Sequence, residues 1–186
     1  MQADLADLMR ELREDHRNMG IVLNLLDDVT DKIRGEDDSV LELLAEIMHY
    51  MTVYPDAVHH PKEDVAYAQL REHRPDLAEG LEDVPGDHAE LAELGLRLKS
   101  DIDAIESGTA VRREQLVEDA AGSVTRLRDH MAWEASDLFQ RIDRMLESKA
   151  HPVDLSHFES AYDPVFSESS AAGFQRLMES LKAAAA

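Results

Sequence analysis

Residues 3–34, ADLADLMRELREDHRNMGIVLNLLDDVTDKIR, decide the fold. Within them Leu5, Met9, Leu12, His16, Met19, Leu23 and Leu26 alternate steps of four and three, the spacing that lines one side of an α-helix and makes the seam of a helical bundle. One slot in that seam is held by a histidine, His16. A lone histidine on an apolar stripe is more often a hydrogen-bonded core residue than a ligand, so by itself it carries little weight.

The same periodicity recurs on either side of short breaks. Residues 35–39, GEDDS, read as a turn that ends in a cap for a second helix, whose stripe is Val40, Leu44, Ile47, Met51 and Tyr54. Pro55 and Pro61 each remove a backbone donor, which predicts a kink and a restart near Pro61 with Glu63 in the first new turn and Tyr67 and Leu70 facing inward. That element ends at Arg74-Pro75, and residues 79–86 read as a polar connection. A third helix begins between Pro85 and Asp87, with His88, Leu91, Gly95, Leu98, Ile102 and Ile105 on its stripe. A fourth spans about residues 111–147, with Leu116, Ala120, Ser123, Leu127, His130, Glu134 and Leu138 inward. Helices joined by short connections predict an all-α, up-down-up-down four-helix bundle over residues 1–147. Residues 148–186 read as an irregular strap carrying Phe158, Tyr162 and Phe166 as anchors. A short helix follows with Phe174, Leu177 and Leu181, to be packed on the bundle or on a second chain, and the closing Ala183 to Ala186 run reads as a frayed end.

Composition narrows the chemistry. The 186 residues suit one domain with a substantial core. No cysteine is present, so disulfides, zinc ribbons and iron-sulfur clusters are excluded and a metal must be held by nitrogen and oxygen. With 40 acidic against 19 basic residues the formal charge is -21, which repels phosphate backbones and anionic lipid, so neither nucleic acid nor membrane is expected as a partner. Most of that acidity reads as solvated helix surface. The absence of a basic and apolar leader, and of any apolar run of membrane-spanning length, gives a cytoplasmic location as the expectation.

Chemistry concentrates in two segments about seventy residues apart: HHPKED at 59–64 and HMAWE at 130–134. Each contains His-x-x-x-Glu. On a helix, positions i and i+4 share a face, so each segment offers an imidazole and a carboxylate to a common point. His16 and His88 supply a nitrogen from each of the other two helices. Buried imidazoles and carboxylates at four such positions would each need a partner, and a carboxylate-bridged metal pair satisfies them together. Iron, manganese and zinc all suit these donors, with histidine-rich ligation and bridging carboxylates favouring iron. The remaining histidines, His49, His73, His151 and His157, fall beside a stripe, at helix ends or in the strap and are read as ordinary polar residues. Trp133 points off the ligand face, and Tyr50, Tyr54 and Tyr67 are placed to hydrogen-bond the ligands.

The order His16, then HHPKED with Tyr54-Pro55 ahead of it, then His88, then HMAWE resembles the bacterial hemerythrin-like, HHE cation-binding domains over roughly residues 5–147. The resemblance implies a four-helix bundle holding two iron ions, bridged by two carboxylates and an oxo or hydroxo group, with zinc or manganese as other occupants. It implies His16, His59, Glu63, His88, His130 and Glu134 as ligands. Oxygen-carrying members have two histidines four apart on the third helix, whereas this chain has Ala92 after His88. His60 is favoured for the missing ligand, Tyr54 from the kink is the alternative, and a one-residue shift of register would pair His60 with Asp64 in place of His59 with Glu63.

The expected function is therefore a non-haem di-iron protein binding O2 or reacting with peroxide or nitric oxide, as monomer or homodimer, whether or not that reactivity amounts to enzyme turnover. A sensor or iron-handling module acting through a partner is the alternative, and a bundle with vestigial ligands or adventitious zinc the third.

Overall fold

The computed structural model describes residues 3–81, 83–147, 152–158, 161–167 and 172–184. The chain is all-α. Helix α1 (Leu5–Arg34) starts on Asp4, whose carboxylate accepts the Ala6 N–H at 3.1 Å, and its buried face holds the predicted Leu5, Met9, Leu12, Met19, Leu23 and Leu26. It also buries Leu8, Asp15, Val22, Val29, Thr30 and Ile33, so the apolar stripe is wider than one seam.

The second rod is continuous where a break is expected. Helix α2 (Leu41–Val53) passes through a π-helical turn (Pro55–His59) into α3 (His60–His73), with His59 N–H reaching Tyr54 O at 3.0 Å and His60 N–H reaching Pro55 O. The wide turn moves carbonyls away from the proline rings and absorbs the missing donors, so Pro55 and Pro61 reshape the helix without ending it. The connection after α3 is also more ordered than predicted: a one-turn helix α4 (Pro75–Ala78) precedes α5 (Val84–Glu106), and Ala78 and Leu81 are buried. The fourth rod is α6 (Arg113–Trp133), a second π-helical turn (Glu134–Leu138) and α7 (Phe139–Leu146), in place of the single helix expected.

Neighbouring rods pack in the order α1, α2–α3, α5, α6–α7, with α6 returning to α1. Their apolar residues form two separate cores. The upper core gathers Val22, Leu26, Leu44, Ile47, Leu98 and Leu127 with their neighbours; the lower core gathers Leu5, Leu12, Leu70, Leu138, Phe139 and Ile142. Between them, along each rod, lie the buried titratable residues.

The segment after the bundle lies along it. Residues 152–153 form a two-residue antiparallel pairing with residues 3–4, Ala3 opposite Val153. Farther along, Asp163 caps its own turn, accepting the Val165 and Phe166 N–H groups at 2.9 and 3.0 Å, and accepts the Tyr50 hydroxyl at 3.1 Å. Helix α8 (Gln175–Ala184) packs on α2, burying Phe174 and Leu177, while the Leu177 N–H donates to Glu46 at 3.0 Å. Phe166 is half-buried against the upper core, and the half-buried Phe158 ring receives Lys62 Nζ at 5.8 Å. Tyr162 does not anchor the strap: it is 51 % exposed, because Asp163 next to it takes the inward position. His151 and residues 185–186 lie outside the described residues, whereas Ala183 and Ala184 continue α8.

Candidate metal centre

In the polar layer, the two His-x-x-x-Glu pairs are each formed within one rod. His59, last residue of the first π turn, places Nε2 3.2 Å from Glu63 Oε1. His130, near the end of α6, places Nε2 3.1 Å from Glu134 Oε1, and Glu134 opens the second π turn. The other two rods each add one histidine. His16 Nε2 from α1 lies 3.1 Å from Glu63 Oε1 and 3.4 Å from Glu134 Oε2, and His88 Nε2 from α5 lies 3.5 Å from Glu63 Oε2 and 3.3 Å from Glu134 Oε1. Each carboxylate therefore directs one oxygen to the His16 side and the other to the His88 side.

The donor atoms gather accordingly into two groups that share Glu63: His16, His59 and Glu63, and Glu63, His88, His130 and Glu134, with the atoms of each group within 4.8 Å of one another. Every member except His16 is below 9 % exposed, and the His16 side chain is only 10 % exposed. His59 Nε2, Glu63 Oε2, His130 Nε2 and Glu134 Oε2 are buried without an aligned hydrogen-bond partner despite the short contacts. Converging buried lone pairs in that condition are costly unless a cation takes them up, so the donor set fits a pair of metal ions.

Protons otherwise provide the positive charge, and the pattern of ionisation reports the demand for it. Burial opposes charge on His59, yet the Glu63 carboxylate and the Asp15 hydrogen bond outweigh it and raise its pKa to about 10. Burial opposes charge on His88 too, and the Asp64 and Glu134 hydrogen bonds raise it to about 9. For Glu63, burial would favour the neutral acid, but His59 holds its pKa down at about 2. Glu134 is likewise held well below the carboxylate range, His130 overcoming burial. Both glutamates are thus held as anions.

Two aspartates hold the histidine rings from behind. His59 Nδ1 lies 3.0 Å from Asp15 Oδ2 and His88 Nδ1 lies 3.0 Å from Asp64 Oδ1. Such carboxylates fix the tautomer and aim the far nitrogen at the ligand position. Sequence reasoning missed both as ring supports. For Asp15 a signal existed, since it completes a second seam, Leu8, Leu12, Asp15, Met19 and Val22, in steps of four and three.

His60 is buried, but it is in neither donor group among the described residues. Its ring stacks on His88 with centroids 4.7 Å apart, its Nδ1 lies 3.5 Å from Asp56 Oδ1, and burial lowers its pKa to about 3, keeping the imidazole neutral. The Tyr54 hydroxyl donates to Asp15 at 3.2 Å, behind His59, and the Tyr50 hydroxyl donates to Asp163. His59 faces Glu63 while Asp64 supports His88, which fixes the register between the two open pairings. Trp133 packs against the lower core 6.0 Å from the His130 ring. His49 and His73 are exposed at the surface, His49 stacked on Phe174. Beside the polar layer, Leu23, Leu26, Met48, Met51 and Leu91 wall an apolar cavity of about 30 Å³, with Asp56 in its lining. Among the described residues no helix is long and apolar enough to cross a membrane.

The family model for the hemerythrin HHE cation binding domain matches residues 7–142, which include every residue of both donor groups. No curated protein and no solved structure matches the chain.

Proposed function

The chain belongs to the hemerythrin HHE cation-binding domain family, and from that premise we propose that it is a non-haem di-iron protein that binds O2 or reacts with a related small oxidant, peroxide or nitric oxide. The observation that carries this reading is the division of Glu63 and Glu134, each sending one oxygen to the His16 side and one to the His88 side. His16 and His59 would serve one iron and His88 and His130 the other, with both glutamates as bridges. His60, neutral and stacked on His88, would be a further donor for the second iron, in place of the second helix-three histidine whose position is Ala92 here.

Bound iron would supply a two-electron couple and an open coordination position. The protein's own contribution is to position and to exclude water. Asp15 and Asp64 hold two imidazoles in one tautomer, and the two cores above and below the polar layer keep solvent out. The cavity walled by Leu23, Leu26, Met48 and Met51 holds little more than a diatomic molecule or a single water, which suits a small apolar reactant better than an organic substrate.

The test is an optical spectrum of purified, iron-loaded protein before and after O2, peroxide and nitric oxide, with elemental analysis alongside. A ligand-to-metal charge-transfer band that responds to at least one of the three supports the reading; iron at two per chain with no response to any defeats the reactivity.

A sensor or iron-handling role acting through a partner is favoured by a different observation. Ligand supports and strap meet on one side of the bundle, where Tyr54 holds Asp15 and the neighbouring Tyr50 holds Asp163. Equal melting temperature and oligomeric size with and without iron would remove this second reading.

A further inference from the structure

Beyond the polar layer, a line of buried groups leads from the candidate ligands to the strap. It begins at His59, whose Nδ1 meets Asp15 at 3.0 Å, and Asp15 accepts the Tyr54 hydroxyl with both oxygens at 3.2 Å. The Tyr54 ring stacks on Tyr50, centroids 6.2 Å apart and planes 24° from parallel. The Tyr50 hydroxyl donates to Asp163 at 3.1 Å, and its ring edge meets Phe174, on which the exposed His49 stacks. Tyr50 and Tyr54 are 0 % and 2 % exposed.

Packing alone would be served by phenylalanine at both positions. Each phenol instead has a carboxylate, not a neutral carbonyl, at hydrogen-bond distance, and one of those carboxylates is shared with a candidate metal ligand. A phenol loses an electron readily only when its proton has an acceptor already in place, and both tyrosines have one. The order metal ligand, carboxylate, phenol, stacked phenol, carboxylate is that of a route for coupled electron and proton movement.

We propose that Tyr54 and Tyr50 are redox-active and deliver electrons to the metal pair when it is oxidised by a peroxide. Tyr54 gives one electron towards His59 and its phenolic proton to Asp15; Tyr50 refills or follows it, giving its proton to Asp163. Two phenols become two phenoxyl radicals, their two electrons passing to the metal pair and their two protons resting on Asp15 and Asp163; one hydrogen peroxide takes up those two electrons and two protons from solvent to become two waters, so the step balances. The stacked rings carry the oxidising equivalent from the metal pair, by way of His59 and Asp15, towards the strap and the surface at His49. This inference rests on the iron reading above and goes beyond it by assigning a role to residues that hold no metal.

The experiment is freeze-quench electron paramagnetic resonance of iron-loaded full-length protein mixed with hydrogen peroxide. Iron content and optical spectrum are recorded on the same sample. An organic radical is expected whose signal narrows when the protein is made with ring-deuterated tyrosine. It is lost in Tyr54→Phe at unchanged iron content and persists in Tyr162→Phe. A radical that narrows only with deuterated tryptophan, pointing to Trp133, overturns the proposal, as does a signal undiminished in the Tyr50→Phe/Tyr54→Phe double variant. If Tyr54→Phe loses iron or fails to fold, the deuterated wild type and Tyr50→Phe decide alone, the latter being expected to confine the radical to Tyr54 with an altered line shape. Full iron content with no organic radical overturns this inference and leaves the iron reading standing; no iron bound overturns both.

Discussion

His59 and Asp15 form a ligand and support pair across two rods, the imidazole Nδ1–H donating to the carboxylate at 3.0 Å while Nε2 faces Glu63 at 3.2 Å. The carboxylate can only accept, so it holds the proton on Nδ1 and leaves the Nε2 lone pair for a cation. Asp15→Asn keeps the shape and removes the charge. Metal affinity is expected to fall by about 10- to 100-fold, as is typical when such supports are lost. Competition against a chromophoric chelator measures it, and equal affinity in the two proteins would contradict the role of Asp15.

Glu134 contacts three histidines, and replacing it with alanine removes one of the two proposed bridges. Glu134→Ala is expected to release one or both irons. His73→Ala, at an exposed ring whose Nδ1 lies 3.2 Å from Gln69 O of its own helix, is expected to leave iron content unchanged. Elemental analysis of the two variants checks the assignment, and matching iron contents would contradict it.

Burial, together with the Asp163 carboxylate beside its hydroxyl, pushes the Tyr50 phenol far above its ordinary value of 10.0. In the unfolded chain the phenol ionises near that value, while in the folded chain it stays neutral. Its contribution is therefore fully present below the unfolded pKa and is lost as pH rises beyond it. Urea denaturation of the wild type is expected to show stability falling between about pH 9 and about pH 11, with a shallower fall in Tyr50→Phe. Parallel curves for the two proteins would show that Tyr50 is not the linked group.

Leu177 is fully buried although it lies in the short C-terminal helix, packed among residues of the upper core. Leu177→Ala is expected to cost about 2–5 kcal/mol of unfolding free energy through lost burial and the cavity left behind. Iron content is expected to be unchanged, since α8 itself carries no candidate ligand. A cost below about 1 kcal/mol, read by denaturant titration, would mean that the helix does not dock on the bundle in solution.

The rods were legible because burial at a fixed period leaves a trace: every predicted apolar position of α1 from Leu5 to Leu26 is buried, as are Val40, Leu44, Ile47, Met51 and Tyr54 in the next rod. The two His-x-x-x-Glu pairs were legible for the same reason, since their spacing is one helical turn. What the sequence concealed is the chain path around Pro55 and after Trp133. A π turn leaves no compositional mark, and a proline signals strain without saying whether the helix breaks or widens. Asp15 and Asp64 were concealed by the many acidic residues around them, because a carboxylate that supports a buried ring and a solvated surface carboxylate look alike until packing separates them. Tyr162 was misplaced as an anchor because an aromatic beside a buried aspartate offers no clue to which of the two turns inward.

Each rod that carries a His-x-x-x-Glu pair also carries one five-residue wide turn, directly before α3 in one case and directly after α6 in the other. Such a turn adds one residue without adding a full revolution, and so advances the angular phase of everything beyond it by about 100°. The stripes of α2 and α3 therefore need not obey one continuous helical count, and neither do those of α6 and α7. Removing a single residue other than His59 or Glu134 from either wide turn would leave every ligand in the chain and yet rotate one half of the rod against the other, carrying imidazole and carboxylate away from the faces that now oppose each other.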